Sequence, residues 1–252
     1  MNQPTTVVPL PHSMQMPRPT GYGLTHRGCV RSANEDAILS DPAGILWAVA
    51  DGMGGHEGGA MAADLVIDTL ATISDDSPPV EALKQAITTA NQRVRTAAVE
   101  MGGQTMGATV VALFIQAGIA HVAWAGDSRA YLMRGQRLRM LSHDHSLVQD
   151  MVDRGELSRD AAEAHPEAHV ITRAVGADDR IEVAHSAVPL IIGDRLLLCS
   201  DGLPRCVYES VIAQLTAEGP DAKTTAQSLM YRALDEGAPD NVSVIIVDLV
   251  AG

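Results

Sequence analysis

The order of apolar and polar residues predicts a chain of short strands interrupted by a few longer helices. Apolar, β-branched runs of strand length are separated by brief turns, whereas other segments repeat an apolar residue every three to four positions. Strands are predicted at residues 21–25, 45–51, 108–115, 119–125, 130–133, 137–141, 181–187, 195–199 and 242–250. Helices are predicted at residues 60–73, 80–101, 147–155, 208–216 and 222–236.

Brief connections in the middle of the chain predict an antiparallel sheet. The turns at residues 116–118 and 134–136 are too short to hold the crossover that joins parallel strands. We therefore expect an α+β fold with antiparallel strands rather than a doubly wound parallel sheet.

Two segments fall outside this pattern. Residues 1–20 contain five prolines and no apolar periodicity, which predicts a disordered tail followed by one domain over residues 21–252. Residues 156–170 are polar and rich in His, Glu and Ala, which favours an exposed flap over a site. His143 and His145 precede this segment and could be metal ligands, or could cap and hydrogen-bond the adjacent helix.

Composition narrows the classes of function. The net charge of −13 argues against nucleic-acid binding, which needs a basic surface, and suits cation binding. Three cysteines, a small and odd number, predict reduced thiols in a cytoplasmic protein. Because no apolar run reaches membrane-spanning length and no signal peptide is evident, no membrane partner is expected.

The stretch from Ala48 to Gly59 has the strongest chemical signal. An apolar strand ends at Asp51, and five of the next eight residues are glycine. A carboxylate followed by a backbone that bends tightly can hold a hard cation through the side chain and a free carbonyl. On its own, the stretch could equally be a flexible turn in which Asp51 caps the following helix.

Three further aspartates occupy similar positions. Asp51, Asp127, Asp201 and Asp240 each lie at the edge of a predicted strand, beside glycine or serine in three cases and asparagine in the fourth. Four carboxylates in one small site repel each other unless cations neutralise them. All-oxygen ligands favour Mg²⁺ or Mn²⁺ over Zn²⁺.

A second polar cluster comes earlier in the chain. Arg31 precedes Glu35 and Asp36 by a few residues, and an arginine can bind two oxygens of a phosphate at once. The two acids could ligate a metal or hold its waters. The alternative is a polar turn with a surface ion pair.

With these motifs in hand, the chain closely resembles the bacterial branch of the metal-dependent serine/threonine protein phosphatases, the PPM or type 2C family. The resemblance covers residues 21 to 250 and leaves out the proline-rich tail. The family's motifs occur in the family's order, at residues 31–36, 49–55, 107–111, 125–132, 141–144, 171–176, 199–203 and 239–244.

The resemblance implies a sandwich of two antiparallel sheets with helices on both outer faces and a binuclear Mn²⁺ or Mg²⁺ centre at one end. Asp51 would bridge the two metals, with the Gly52 carbonyl on one of them, and Asp201 and Asp240 would complete the other. Asp127, with Asp201, would hold a third and weaker ion.

Other positions would support this centre. Arg31 matches the phosphate-binding arginine, and Glu35 and Asp36 match acids that act through metal-bound waters. Asn241 would hold the neighbouring ligand Asp240 in place without binding a metal itself. Residues 145–172 match a flap that varies between members of the family.

The proton donor is less well defined. Eukaryotic members place a histidine directly after the Asp-Gly pair, where this chain has Met53. His56 is our candidate general acid; its alternative role is a hydrogen bond within the glycine loop.

The resemblance implies hydrolysis of phosphoserine and phosphothreonine by a hydroxide that two metals activate. The expected partners are phosphorylated proteins, including a serine/threonine kinase and its substrates, and the expected state is a monomer. Two alternatives remain: another two-metal phosphoester hydrolase, such as a nuclease, and an inactive binding module on the same fold.

Overall fold

The computed structural model describes residues 17–41, 44–158, 161–162 and 165–252. The described strands are β1 (Pro17–His26), β2 (Asp36–Ser40), β3 (Leu46–Met53), β4 (Gly107–Gln116), β5 (Ile119–Ala125), β6 (Arg129–Arg134), β7 (Arg137–Met140), β8 (Ala184–Pro189), β9 (Arg195–Cys199) and β10 (Val242–Ala251). The described helices are α1 (His56–Leu70), α2 (Pro79–Glu100), α3 (Leu147–Asp153), α4 (Gly202–Cys206), α5 (Glu209–Glu218) and α6 (Ala222–Asp235).

The strands form two five-stranded sheets. One has the order β1-β10-β9-β6-β7 and the other the order β2-β3-β4-β5-β8. Every pair of neighbouring strands in both sheets is antiparallel. The antiparallel arrangement predicted from the short turns is therefore confirmed.

Successive side chains along each strand point to opposite faces of the sheet, which produces three apolar layers. In β10, Ile245 and Val247 face the other sheet, whereas Val244 and Ile246 face the helices. Helices α1 and α2 cover the outer face of the β2–β8 sheet, and α4, α5 and α6 cover the outer face of the other. This is the predicted sandwich with helices on both outer faces.

The first strand begins earlier than the sequence pattern indicates. Strand β1 starts at Pro17 and pairs with β10 from Pro17 opposite Ala251 to His26 opposite Val242. Residues 17–20 therefore belong to the sheet and not to the predicted tail, and residues 1–16 lie outside the described part. Prolines are tolerated here because β1 is an edge strand, where a missing N–H need not face a neighbour.

Smaller differences concern short or glycine-rich segments. Strand β2 was not predicted, because its five residues are too few to show a period. Helix α1 starts at His56 rather than at residue 60, so the weak helix formers Gly58 and Gly59 lie in its first turn. Helix α4 has five residues and was likewise not predicted.

The positions of the strand ends matter most for function. Residues at the C-terminal end of β3, just after β5 and β9, and just before β10 line one cleft at an end of the sandwich. In the part of the chain that the structure describes, no helix has the length and apolarity needed to cross a membrane.

Candidate active site

Four aspartates from four separate segments meet in the cleft. Asp51 lies on β3, Asp127 in the turn after β5, Asp201 directly before α4, and Asp240 before β10. The cavity has a volume of about 350 Å³. The sequence prediction that these strand-end acids come together is in agreement with this geometry.

Asp51 is the one of the four that lies within a described strand. On β3 it lies opposite Asp36 of β2 on one side and Thr109 of β4 on the other. Burial raises the pKa of Asp51 well above its ordinary value, and the nearby Asp201 and Asp36 carboxylates raise it further. An ionised Asp51 is therefore unfavourable in this site unless a positive charge compensates it.

Asp127 and Asp201 experience the same conflict. Burial raises the pKa of Asp127 to about 7, with repulsion from Asp201 as the next cause. Burial also raises the pKa of Asp201, although Arg205 opposes this shift. The Oδ1 atom of Asp201 is buried and has no hydrogen-bond partner, although Asp201 occupies the N-cap of α4.

Asp240 is held by two arginines. Arg31 binds it through two contacts, Nε to Oδ1 at 2.9 Å and Nη2 to Oδ2 at 2.9 Å. Arg205 donates from Nη1 to the same Oδ2 at 3.0 Å and from Nη2 to Oδ2 of Asp201 at 2.5 Å. The predicted phosphate-binding arginine therefore lies at the rim of the carboxylate cluster.

The glycine loop lets this end of the molecule pack closely. A Cβ atom on Gly52 would lie 2.1 Å from the carbonyl oxygen of Gly59 and 2.6 Å from that of Glu35. A Cβ on Gly59 would lie 2.0 Å from Oε2 of Glu35. Glycine is required at position 52 because the atoms it would strike are backbone atoms of α1 and of the Glu35 segment, whereas at Gly59 the closest atom is the end of the Glu35 side chain.

Asp36 is part of the structural framework beneath the cleft. Its Oδ2 accepts hydrogen bonds from the hydroxyls of Ser200 at 2.9 Å and Ser243 at 2.7 Å, and burial raises its pKa to about 7. Its Oδ1 is buried without a hydrogen-bond partner. One oxygen thus joins β2 to the opposite sheet, and the other remains available to a ligand or water.

Asn241 supports the site by two routes. Its backbone N–H donates to Oδ1 of Asp240 at 2.9 Å. Its side chain accepts from the N–H of Glu35 and donates to the carbonyls of Arg27 and Ala33, at 2.8, 3.0 and 2.9 Å. The side chain therefore fixes the loop that carries Arg31, while the backbone fixes Asp240.

Two sequence predictions depend on parts that the structure describes incompletely. The backbone of His56 begins α1, but its side chain lies outside the described residues, so its role stays a prediction. Within the predicted flap, residues 159–160 and 163–164 also lie outside the description. The flap residues His169 and Ile171 line the cleft, which agrees with its expected position over the site.

Arg205 is a charged cleft residue that the sequence analysis did not identify. It follows Asp201 by four positions on α4, the spacing at which side chains on a helix meet. That signal depends on knowing that residues 202–206 are helical. Its contact with Asp240, 35 positions away, depends on the fold.

The donor set fits a hard divalent cation. The cleft offers several carboxylates, of which Asp201 has a buried unpartnered oxygen. Burial, and after it repulsion from neighbouring aspartates, raises the pKa of Asp51 and of Asp127. Among the described residues, however, no three His, Cys, Asp or Glu side chains stand at ligand spacing. Two of the cleft carboxylates instead form ion pairs with arginines, Asp240 with Arg31 and Arg205, and Asp201 with Arg205.

Comparisons with known proteins agree with this geometry. The chain is 37% identical over 231 residues to the serine/threonine protein phosphatase PstP of Mycobacterium tuberculosis. The aligned region covers 89% of this chain and 44% of PstP. It is 33% identical over 235 residues to the serine/threonine phosphatase stp of Listeria monocytogenes, covering 89% of this chain and 93% of that protein. This chain therefore spans less than half the length of PstP but nearly all of the Listeria protein.

A solved structure extends the likeness to three dimensions. The catalytic domain of PstP, in complex with two manganese ions, aligns with a TM-score of 0.84 at 33% identity and covers 92% of this chain and 98% of that domain. The family model for protein phosphatase 2C matches residues 25–159, just over half of this chain. The chain therefore belongs to the protein phosphatase 2C family.

Proposed function

We propose that the chain is a metal-dependent protein serine/threonine phosphatase. The observation that carries this proposal is the meeting of Asp51, Asp127, Asp201 and Asp240 with Arg31 in one cleft of a protein phosphatase 2C fold. Relatives that share the fold over nearly the whole chain are named serine/threonine phosphatases, which supports the same activity here.

The proposed metal ligands are the cleft aspartates. Asp51, with the Gly52 carbonyl, would hold one Mn²⁺ or Mg²⁺, and Asp51, Asp201 and Asp240 would hold a second. Asp127, with Asp201, would take a third and weaker ion. When bound, these cations supply Lewis acidity that activates water and offsets charge on the phosphoryl oxygens. The two manganese ions of the related PstP domain support this assignment.

The other residues would bind and orient the substrate. Arg31 is 55% exposed at the rim of the cleft, and its guanidinium can bind two phosphoryl oxygens. Asn241 holds the Arg31 loop, so it would keep that guanidinium in place. His56 would give a proton to the departing seryl or threonyl oxygen. The described lining contains no cysteine that could act as a nucleophile.

Two rival functions remain distinguishable. Another two-metal hydrolase, such as a nuclease, needs a basic track for a polyanion, whereas this chain carries a net charge of −13. An inactive binding module would be expected to lack metal-ligating acids, whereas this chain keeps Asp51, Asp201 and Asp240 in the cleft. Both facts favour a phosphoprotein phosphatase.

The proposal is tested by phosphate release from a phosphothreonine peptide. We expect turnover with Mn²⁺ or Mg²⁺ and none in excess chelator, with restoration when the cation is returned. DNA and cyclic nucleotides, offered under the same conditions, should not be cleaved. Equal peptide hydrolysis in chelator would reject the metal-dependent mechanism, and cleavage of DNA alone would favour the nuclease.

The biological setting is also a proposal. Phosphorylated proteins would be the substrates, and a serine/threonine kinase with its targets would be the natural partner set. The three cysteines are free thiols, which suits the reducing cytoplasm predicted from the sequence. We expect the enzyme to act as a monomer.

A further inference from the structure

The cleft contains a second arginine besides Arg31. Arg205 lies on α4, four residues after Asp201, and its side chain is 35% exposed. It lines the cleft together with Arg31. Among the described lining residues, these two arginines are accompanied by no lysine.

The two guanidinium groups meet at a single anionic oxygen. Arg31 comes from the loop before β2, and Arg205 comes from the helix after β9. Both donate to Oδ2 of Asp240, at 2.9 Å from Arg31 Nη2 and 3.0 Å from Arg205 Nη1. Two segments that are far apart in sequence therefore direct arginine donors to the same small region.

This convergence suits a phosphate monoester. The phosphate of phosphothreonine carries between one and two negative charges near neutral pH and presents three oxygens. One guanidinium can bind two of those oxygens, and a second can bind the third. The carboxylates of the cleft add no donors when ionised, so they cannot serve this purpose.

The carboxylates of Asp201 and Asp240 compete with a phosphate for the arginine donors, but this competition is only partial. Under the proposed function, Asp201 and Asp240 direct their lone pairs to cations. A carboxylate committed to a cation offers fewer lone pairs to a guanidinium. Arg205 has five N–H donors and lines the cleft, so its donors would be available to the substrate once cations hold the two carboxylates.

We propose that Arg205 is a second substrate-binding residue that contacts the phosphoryl group alongside Arg31. The proposal rests on the proposed phosphatase function and adds a residue to its substrate site. The opposing interpretation is that Arg205 serves only as a counter-ion that holds Asp201 and Asp240 in place.

The test compares Arg205→Ala and Arg205→Lys with a matched control, Arg232→Ala. Arg232 pairs with Glu236 at 2.6 Å and, like Arg205, makes its ion pair at a separation of four residues. It lies on α6 and is not among the residues that line the cleft. The control therefore removes an equivalent ion pair without altering the site.

Two measurements are needed on the Mn²⁺-loaded protein. One is KM and kcat for a phosphothreonine peptide, and the other is the affinity for inorganic phosphate, measured by calorimetry. For Arg205→Ala we expect both KM and the phosphate dissociation constant to rise about tenfold, or ~1.4 kcal/mol, with kcat within about threefold of wild type. Arg205→Lys should recover part of the phosphate affinity, and Arg232→Ala should match wild type.

The outcomes separate the two interpretations. If Arg205→Ala leaves phosphate affinity and KM unchanged while Mn²⁺ affinity or kcat changes, Arg205 is only a counter-ion and the proposal is wrong. If Arg205→Ala does not fold, an Arg205→Lys protein with wild-type phosphate affinity and KM rejects the proposal equally well. A wild-type protein that binds phosphate but hydrolyses no peptide would reject the phosphatase function alone, because calorimetry still reports on Arg205.

Discussion

At the scale of single residues, Asn241 connects two parts of the site through four hydrogen bonds. Its side chain makes three hydrogen bonds to the segment between Arg27 and Glu35, and its backbone N–H holds Asp240. Asn241 thus connects the loop that carries Arg31 to Asp240, the aspartate that forms an ion pair with Arg31. The sequence resemblance indicated support of Asp240, whereas the contacts to the Arg31 loop required the structure.

Asn241→Ala should therefore destabilise both the fold and the substrate site. The substitution leaves one N–H and two carbonyls without their partner, and we expect a loss of about 2–4 kcal/mol in the free energy of unfolding. KM should rise because the Arg31 loop is released. Urea denaturation and peptide kinetics measure the two effects.

Asn34→Ala is the matched control for this experiment. Asn34 lies in the same loop and bonds Thr25 and the N–H of Asp36, so it does not connect the loop to Asp240. If the two variants lose equal stability and show the same KM, the connecting role of Asn241 is wrong.

Arg31 allows a second prediction at this scale. Arg31→Ala should raise KM for a phosphothreonine peptide about tenfold, because it removes a two-pronged contact with the phosphoryl group. The KM of Arg31→Lys should lie between those of wild type and Arg31→Ala, since lysine keeps the charge but lacks the planar fork. Steady-state kinetics at saturating Mn²⁺ provide the measurement, and an unchanged KM for Arg31→Ala would count against the assignment.

At the scale of elements, His145 joins the start of the flap to the turn that carries Asp127. Its Nδ1 accepts the N–H of Gly126 at 3.2 Å, and its backbone N–H donates to the carbonyl of Gly126 at 2.9 Å. Its carbonyl accepts the N–H of Thr172 at the far end of the flap, and its ring stacks on Trp124. Of the roles considered for this histidine, the structure favours hydrogen bonding.

This arrangement predicts a pH-dependent stability. Burial, with Arg173 and His143 nearby, lowers the pKa of His145 to about 4. Since the unfolded histidine titrates near 6.5, the unfolded state binds more protons between these values. The contribution of His145 is therefore complete above the unfolded pKa and is lost as the pH falls from about 6.5 towards 4.

His145→Asn isolates this contribution, because the asparagine oxygen can accept the Gly126 N–H without titrating. The free energy of unfolding should fall more steeply in wild type than in His145→Asn when urea denaturation is repeated between pH 7 and pH 5. Parallel pH profiles for the two proteins would show that His145 does not carry the effect.

Helices and strands also differ in how far the sequence defines them. Long apolar runs gave β3, β4, β5, β9 and β10, because burial on both faces leaves an unambiguous signal. The edge strand β1 was shortened in prediction by its prolines, and β2 and α4 were missed because each is short and lacks an apolar run as long as the one in β9. The least visible elements thus carry Asp36 and Arg205.

At the scale of the whole molecule, both sheets of the sandwich border the charged cleft at one end. Asp36 of β2 accepts hydrogen bonds from Ser200 and Ser243, which belong to the opposite sheet and its adjoining turn. The acid that the resemblance assigns to metal-bound water therefore also joins the two sheets. Only the packed structure reveals this second task.

The sequence could indicate the four aspartates because each borders an apolar strand, and repulsion among them implied a cation. It could not indicate which arginine reaches which acid. Arg31 and Arg205 approach Asp240 from 209 and 35 positions away, so their contacts depend on the closed sandwich. Family membership follows from motif order, while the pairing of charges follows from the fold.

The central claim is that the aspartate cluster is the metal site that drives phosphate release. Asp240→Asn tests it most directly, because the amide keeps the shape of the side chain and removes its charge. We predict that calorimetry will show weaker Mn²⁺ binding and that peptide turnover will fall by about two orders of magnitude or more. The exposed Asp64→Asn on α1 is the control and should behave like wild type. Near-normal Mn²⁺ affinity and turnover in Asp240→Asn would contradict the account.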